Sequence, residues 1–181
     1  MTRPARIAVL GCSGSGKSTL AARLADALGL PLAASDHIYW TDDWRPTPAA
    51  EVRAWIDRTT AGAAWVVDGN FDVDRDLLWR RAQLVVWLDF PLRVVLVRVA
   101  RRNFVWWLKG ERVWGGQRMT LGKAWSGIRH SLRSHALKRR AYPGWLGELK
   151  GAEVVRLRSP KAAARWTVAF VEVRAGRSEH C

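Results

Sequence analysis

Cysteine is scarce in this chain. There are two in 181 residues, Cys12 in a Gly/Ser segment and Cys181 at the last position. That count excludes a disulfide-built secreted scaffold and fits a reducing compartment. Glycine, at 15, and proline, at 7, are at ordinary levels, which excludes collagen-like and Pro/Gly-rich low-complexity classes. Long hydrophobic runs are missing too, because Arg or Lys interrupts every candidate before it reaches the length of a membrane span. The opening Met-Thr-Arg-Pro-Ala-Arg leads directly into a strand-like run without a signal-peptide apolar stretch, so a soluble, cytoplasmic protein is expected. The four histidines show no metal-ligand spacing with Cys, Asp or Glu, and no zinc site is expected. Neither a Ser/His/Asp arrangement nor an Asn-Lys-x-Asp guanine signature is present.

Acidic residues are missing from one half in particular. Residues 91–181 contain no aspartate and five glutamates against twenty Lys/Arg, a net of +15, whereas residues 1–90 carry ten Lys/Arg against eleven acids, a net of −1. A basic half implies a polyanionic partner: a nucleotide, a nucleic acid or a membrane surface. The excess of arginine, 24 against 6 lysines, is also what a biased coding composition would produce.

With 49% apolar and 25% charged residues, the chain has the makings of one core and one domain over 1–181. Short apolar runs alternate with helical periodicity. Strands are expected at Arg6–Leu10, Leu32–Ser35, Trp65–Val67, Leu84–Leu88 and Val154–Leu157. Helices are expected over Lys17–Leu28, from Thr47-Pro48 to about Ala61, from Pro91 to about Lys109, and from Ser159-Pro160 to about Val173. Apolar strands separated by helices predict an α/β fold with a parallel sheet covered on both faces, and ligands of such sheets sit beyond the carboxyl ends of the strands. The stretch 103–150 breaks the alternation. It is basic, carries Trp106, Trp107, Trp114, Trp125 and Trp145, and reads as an insertion over the sheet's edge, partly helical from Leu121 to Arg140.

The strongest motif is Gly11-Cys12-Ser13-Gly14-Ser15-Gly16-Lys17-Ser18, which fits G-x-x-x-x-G-K-[ST] between a strand and a helix. Gly11, Gly14 and Gly16 let the backbone turn its N–H groups inward, and the helix that follows adds its positive end. Lys17 then reaches the terminal phosphates of ATP, and the Ser18 hydroxyl ligates Mg²⁺. Ser13, Ser15 and Thr19 complete the nucleotide-binding set. A second metal anchor must come from an aspartate at another strand end. Asp68, followed by Gly69-Asn70, is preferred over Asp89, which precedes Phe90-Pro91 and reads as the cap of the next helix.

Phosphoryl transfer builds charge on equatorial oxygens, which arginines offset. Arg98 and Arg102 are four apart and share a helix face, so both can converge on one anion. Arg53 is the candidate for acceptor contact. Trp65, Trp87 and Trp55 are read as core. Trp40 and Trp44 flank Asp36 and are read either as stacking on a ligand or as packing. The Trp/Arg mixture of 103–125 suits a lid core, single-strand stacking or a membrane interface, of which the lid is favoured.

Taken together, Gly11–Thr19, Ser35-Asp36-His37-Ile38-Tyr39-Trp40, Trp65–Phe71, Leu88–Pro91 with Arg98 and Arg102, and Arg156–Pro160 resemble the nucleoside-monophosphate kinase and shikimate kinase branch of P-loop proteins. The narrower resemblance is to small bacterial adenylate kinase-related, or topology modulation, proteins. It implies a three-layer fold with a five-stranded parallel sheet of order 2-3-1-4-5, ATP as donor, Asp36 facing the acceptor, Asp68-Gly69 near metal and acceptor, and Ser159-Pro160 beside the adenine. With Trp40, Arg53, Gly69 and Asn70 added, this makes the acceptor site. Asp-Gly-Asn-Phe-Asp stands where adenylate kinases carry Asp-Gly-Phe-Pro-Arg, so the acceptor is left unidentified. The expected activity is ATP-dependent phosphoryl transfer to a small-molecule or nucleotide acceptor. The alternative is a nucleic-acid-associated P-loop ATPase.

Overall fold

A computed structural model describes residues 4–35, 38, 47–113 and 117–175. Successive residues of the strands point to opposite faces, and both faces are apolar, so each must be covered by helices. The elements are β1 (Arg6–Gly11), α1 (Lys17–Leu28), β2 (Leu32–Ala34), α2 (Ala49–Thr60), β3 (Trp65–Asp68), α3 (Arg75–Arg81) and β4 (Leu84–Leu88), then α4 (Leu92–Leu108), β5 (Arg112–Val113), β6 (Gln117–Arg118), α5 (Leu121–Gly147), β7 (Glu153–Leu157) and α6 (Pro160–Ala175). The main sheet is five-stranded in the order β2-β3-β1-β4-β7, every pairing parallel. This is the 2-3-1-4-5 order expected from the sequence.

The two faces are distinct cores. Ile7, Val9, Val66, Val86 and Leu88 meet Leu20 and Leu24 of α1, Val95 and Val99 of α4, and Phe170 of α6. Ala8, Leu10, Val67, Val85 and Trp87 meet Val52 and Ile56 of α2, Leu78 and Trp79 of α3, and Tyr142 and Leu146 of α5. Trp65 and Trp87 are core residues, as their position in strands suggests, and Trp55 packs against the same cluster, stacked on Phe71 at 5.6 Å.

Several local expectations change. The α3 helix and the antiparallel β5–β6 hairpin were not legible in the sequence; α3 is only seven residues long and its pattern is set by two inward residues, Leu78 and Trp79. The α2 helix begins at Ala49 with Pro48 as its N-cap, and no side chain caps it, so Thr47 does not play that part. By contrast, the Ser159 hydroxyl does accept the Ala162 N–H at 3.1 Å at the start of α6, with Pro160 as the first helical residue. The α5 helix continues past Arg140 and through Pro143 to Gly147. Its second half belongs to the core layer. Tyr142 lies edge-on to Trp79 at 5.2 Å and tilted against Trp87 at 5.4 Å, so the turn that holds Pro143, which cannot donate a backbone bond, is packed against the core.

Candidate active site

The carboxyl ends of β1, β3 and β4 lie side by side, with Val9 paired to Asp68 and Gly11 to Leu88. The phosphate-binding loop leaves β1 at this edge. Gly11, Gly14 and Gly16 all have positive φ, at 155°, 80° and 91°. Glycine is required at 14 for a second reason: a Cβ there would sit 2.5 Å from Val99 Cγ2 and 3.1 Å from the Val95 carbonyl. The loop is therefore pressed onto α4. Gly16 is the N-cap of α1, no side chain caps that helix, and no acidic residue stands in its first turn. The amides and positive end of α1 thus face the loop with no acid in the helix's own first turn, which suits an anion.

Lys17 Nζ lies 3.5 Å from the Cys12 carbonyl, folded along the rim of the loop. Ser18 and Thr19 are exposed in the first turn of α1, while Ser13 and Gly14 are half-buried and Ser15 is buried. Both arginines picked out on α4 arrive at the loop. Arg98 donates to the Ser15 carbonyl at 3.1 Å, and Arg102 donates to Ser13 Oγ at 3.2 Å. Their guanidiniums rest on aromatic faces, Arg98 over Phe90 at 5.5 Å and Arg102 over Trp106 at 4.6 Å. Phosphate loop and arginine pair are thereby brought together from residues more than 80 positions apart.

Asp68 is 2% exposed at the end of β3. After it the chain turns sharply. Gly69 donates to the Val9 carbonyl, and a Cβ on Gly69 would lie within 2.7 Å of Ser35 and Phe71 atoms. Phe71 has φ of 47°, a left-handed conformation unfavourable for a bulky residue, and is held there by burial and by its stack on Trp55. Asn70, a candidate for the acceptor site, accepts the Gly11 N–H on its Oδ1 at 2.9 Å. It ties the β3 turn to the phosphate loop, while its carbonyl accepts Trp79 Nε1–H at 2.9 Å. Arg53, the candidate for acceptor contact, is likewise engaged. It pairs with Asp74 at 2.9 Å and Asp76 at 3.3 Å, across α2 and the start of α3. These two acids push the Arg53 guanidinium still further up, and Arg53 holds the Asp76 carboxyl below the usual carboxylate range.

Asp89 does not cap α4, whose N-cap is Pro91 without a side-chain bond. Its side chain, 1% exposed, instead takes Arg156 on one oxygen at 2.6 Å and Arg139 on the other at 3.1 Å. The carboxylate is filled by two guanidiniums, one on each oxygen. A hydroxyl from Ser18 and a carboxylate from Asp68 are hard oxygen donors of the type Mg²⁺ takes, few in number because substrate phosphates and water complete its shell. Among the described residues no cluster of three or more His, Cys, Asp or Glu could form an all-protein metal cage. Ser159 and Pro160 open α6 two and three positions beyond Leu157, the end of β7, at the same carboxyl edge of the sheet as the loop. Asp36, His37, Trp40, Trp44 and Trp114 lie outside the described residues.

One contribution was missed from sequence. The α5 helix sends a buried, mostly polar row towards the loop: Ser131, His135, Lys138 and Tyr142, spaced by four, three and four. Lys138 Nζ pairs with Asp72 at 2.6 Å, Tyr142 donates to the same carboxylate at 2.5 Å, and His135 Nε2 pairs with the Phe90 carbonyl at 3.0 Å. Cys12, in the loop, feels this row. Burial raises its thiol pKa, opposed by Lys138, Lys17 and a hydrogen bond with Ser134. The helical spacing was the available signal, hidden by the exposed basic residues between.

No protein-family model matches the chain, and no curated protein matches it. Solved structures do. A shikimate kinase from Acinetobacter baumannii in complex with shikimate superposes with a TM-score of 0.60 at 18% identity, covering 97% of this chain and 95% of that one. The chain has the P-loop kinase fold. A gluconokinase from Sinorhizobium meliloti 1021 gives 0.55 at 20% identity over 97% and 96% of the two chains. A sugar kinase from Janibacter sp. HTCC2649 gives 0.53 at 18% identity over 94% and 95%.

Proposed function

We propose that this protein is an ATP-dependent phosphotransferase acting on a small hydroxyl-bearing acceptor. The observation that carries the reading is the phosphate loop: three left-handed glycines open onto an uncapped helix start, and Lys17, Arg98 and Arg102 surround it. In this reading the γ-phosphate of ATP leaves its bridging oxygen and bonds to an acceptor hydroxyl, whose proton passes to Asp36. Lys17, Arg98 and Arg102 offset the charge spreading over the transferred group, and the loop amides hold the remaining phosphates. Mg²⁺, held by Ser18 with Asp68 close by, would supply a hard Lewis acid to the phosphate oxygens. Ser159-Pro160 borders the adenine. Gly69 and Trp40 contribute to the acceptor side, where Asn70 acts through its hold on Gly11. The connection between α4 and α5, within the 103–150 segment, serves as the lid, and the protein works in the cytoplasm.

Support for a small-molecule acceptor comes from the neighbours' names, a shikimate kinase, a gluconokinase and a sugar kinase, all similar in nearly their full length. The finer likeness to adenylate kinase-related, topology modulation proteins rests on Asp36–Trp40 and Asp68–Phe71. The test is ADP release from ATP·Mg²⁺ against sugars, sugar acids, shikimate-like acids, nucleosides and nucleoside monophosphates. One class should raise the rate above background, and Lys17→Ala should abolish it with an unchanged melting temperature. Full turnover in Lys17→Ala would refute the assignment. Background release with every acceptor, stimulated by nucleic acid, would favour the ATPase reading that the +15 half suggests.

A further inference from the structure

The α4 helix is apolar around most of its circumference, a pattern expected of a helix buried on all sides. Only one side is buried. Val95, Val99 and Asn103 face the core, while on the opposite side Val97 is 67% exposed, Phe104 56% and Leu108 62%. The amino-terminal half of α5 repeats the arrangement, with Leu121 64% and Trp125 63% exposed. Phe104 and Leu108 of α4 and Leu121 and Trp125 of α5 lie where the end of α4 meets the start of α5. Asn103, next to Phe104, donates its side-chain amide to the carbonyl of Ala124, next to Trp125, at 3.1 Å. Exposed basic residues border the apolar ones: Arg101 and Lys109 on α4 and after it, Arg129 and Arg133 on α5. Between positions 93 and 140 the chain has thirteen Lys/Arg and one acid, Glu111; Arg98 and Arg102 of these turn to the phosphate loop, and Lys138 and Arg139 pair with Asp72 and Asp89.

We propose that this face of α4 and α5 docks on an anionic phospholipid membrane surface. Large aliphatic and aromatic side chains would enter the boundary between headgroups and acyl chains, while the surrounding Arg and Lys meet lipid phosphates. Two other occupants fit less well. Stacking on single-stranded nucleic acid uses aromatic faces, and Val97, Leu108 and Leu121 have none to offer. A second copy of this chain would bring two strongly basic segments together, which repels. The face is on the side of α4 away from Val95 and Val99, so docking leaves the contact between α4 and the phosphate loop intact.

The experiment is co-sedimentation of the full chain with vesicles of phosphatidylcholine, with and without phosphatidylglycerol, over a salt series. Binding should require phosphatidylglycerol, weaken with salt, and shift tryptophan emission to the blue. Leu108→Ser and Trp125→Ser should each lower the partition constant roughly tenfold, from the apolar surface they no longer bury. Arg101→Glu and Lys109→Glu should each lower it at least about fivefold. All four positions are exposed, so melting temperatures should stay within about 2 °C of the parent. Lys17→Ala should bind vesicles as the parent does, which separates this face from phosphoryl transfer. Four results would each overturn the proposal: no binding to phosphatidylglycerol vesicles at low salt; equal binding without the anionic lipid; tighter binding to single-stranded oligonucleotide that is lost in Trp125→Ser; or a dimer in light scattering that Trp125→Ser dissociates.

Discussion

The tight approach of the phosphate loop to α4 can be tested at Gly14. A methyl group added there meets two separate obstacles. The residue has φ of 80°, where an L side chain costs about 1–2 kcal/mol. The new carbon would also lie 2.5 Å from Val99 Cγ2 and 3.1 Å from the Val95 carbonyl. Val99 is fully buried and β-branched, so its side chain has one comfortable rotamer in a helix and cannot swing away. Relieving such overpacking costs about 1–3 kcal/mol. Gly14→Ala should therefore destabilise by roughly 2–5 kcal/mol, or lower the melting temperature by roughly 4–20 °C for a domain of this size. Differential scanning calorimetry of Gly14→Ala, Val99→Ala and the double variant separates the two parts. Removing the Val99 methyls relieves the closer contact and leaves the backbone penalty and the approach to the Val95 carbonyl. The double variant should thus be less destabilised than the sum of the singles, by roughly 1–3 kcal/mol. Strict additivity, or a Gly14→Ala protein that melts with the parent, would refute the argued contact.

Three further outcomes are expected. Asp89→Asn should cost roughly 1–3 kcal/mol in urea unfolding, less than a fully buried pair, because Arg139 and Arg156 are 48% and 33% exposed and regain water; an unchanged midpoint would show that the two guanidiniums do not need that carboxylate. Arg53 holds the Asp76 carboxyl below its usual range, so the pair's contribution is present above about pH 4 and fades as pH falls through the lowered value. An NMR titration of Asp76 should show a depressed midpoint that rises in Arg53→Gln, and identical midpoints would disprove the pairing. In a Cys181→Ser background, alkylation of Cys12 should gain rate only above the usual thiol range, because burial holds its thiol neutral; a midpoint below that range would mean Lys17 and Lys138 outweigh burial.

The phosphate loop is local chemistry and could be read directly. A run of glycines, one lysine and one serine between a strand and a helix suffices to define the turn, and Gly11, Gly14 and Gly16 adopt the left-handed backbone that only glycine tolerates at little cost. The three central strands, β1, β3 and β4, were equally legible, because a buried parallel strand is a short unbroken apolar run. The pairing of Arg98 with Arg102 follows from a spacing of four on one helix. Partners distant in sequence follow no such rule. Nothing in Asp89-Phe90-Pro91 says that Arg139 and Arg156 will fill the carboxylate, and nothing in Asp-Gly-Asn says that Asn70 Oδ1 will take the Gly11 N–H. Periodicity announces a helix but not which of its faces is wanted. The Ser131-His135-Lys138-Tyr142 row is buried because α5 lies on the sheet, whereas the equally periodic Val97-Phe104-Leu108 row stays in water because nothing among the described residues covers it. Local backbone preference and apolar patterning act over a few residues and are written along the chain; burial and charge pairing depend on which surfaces the packed layers bring together.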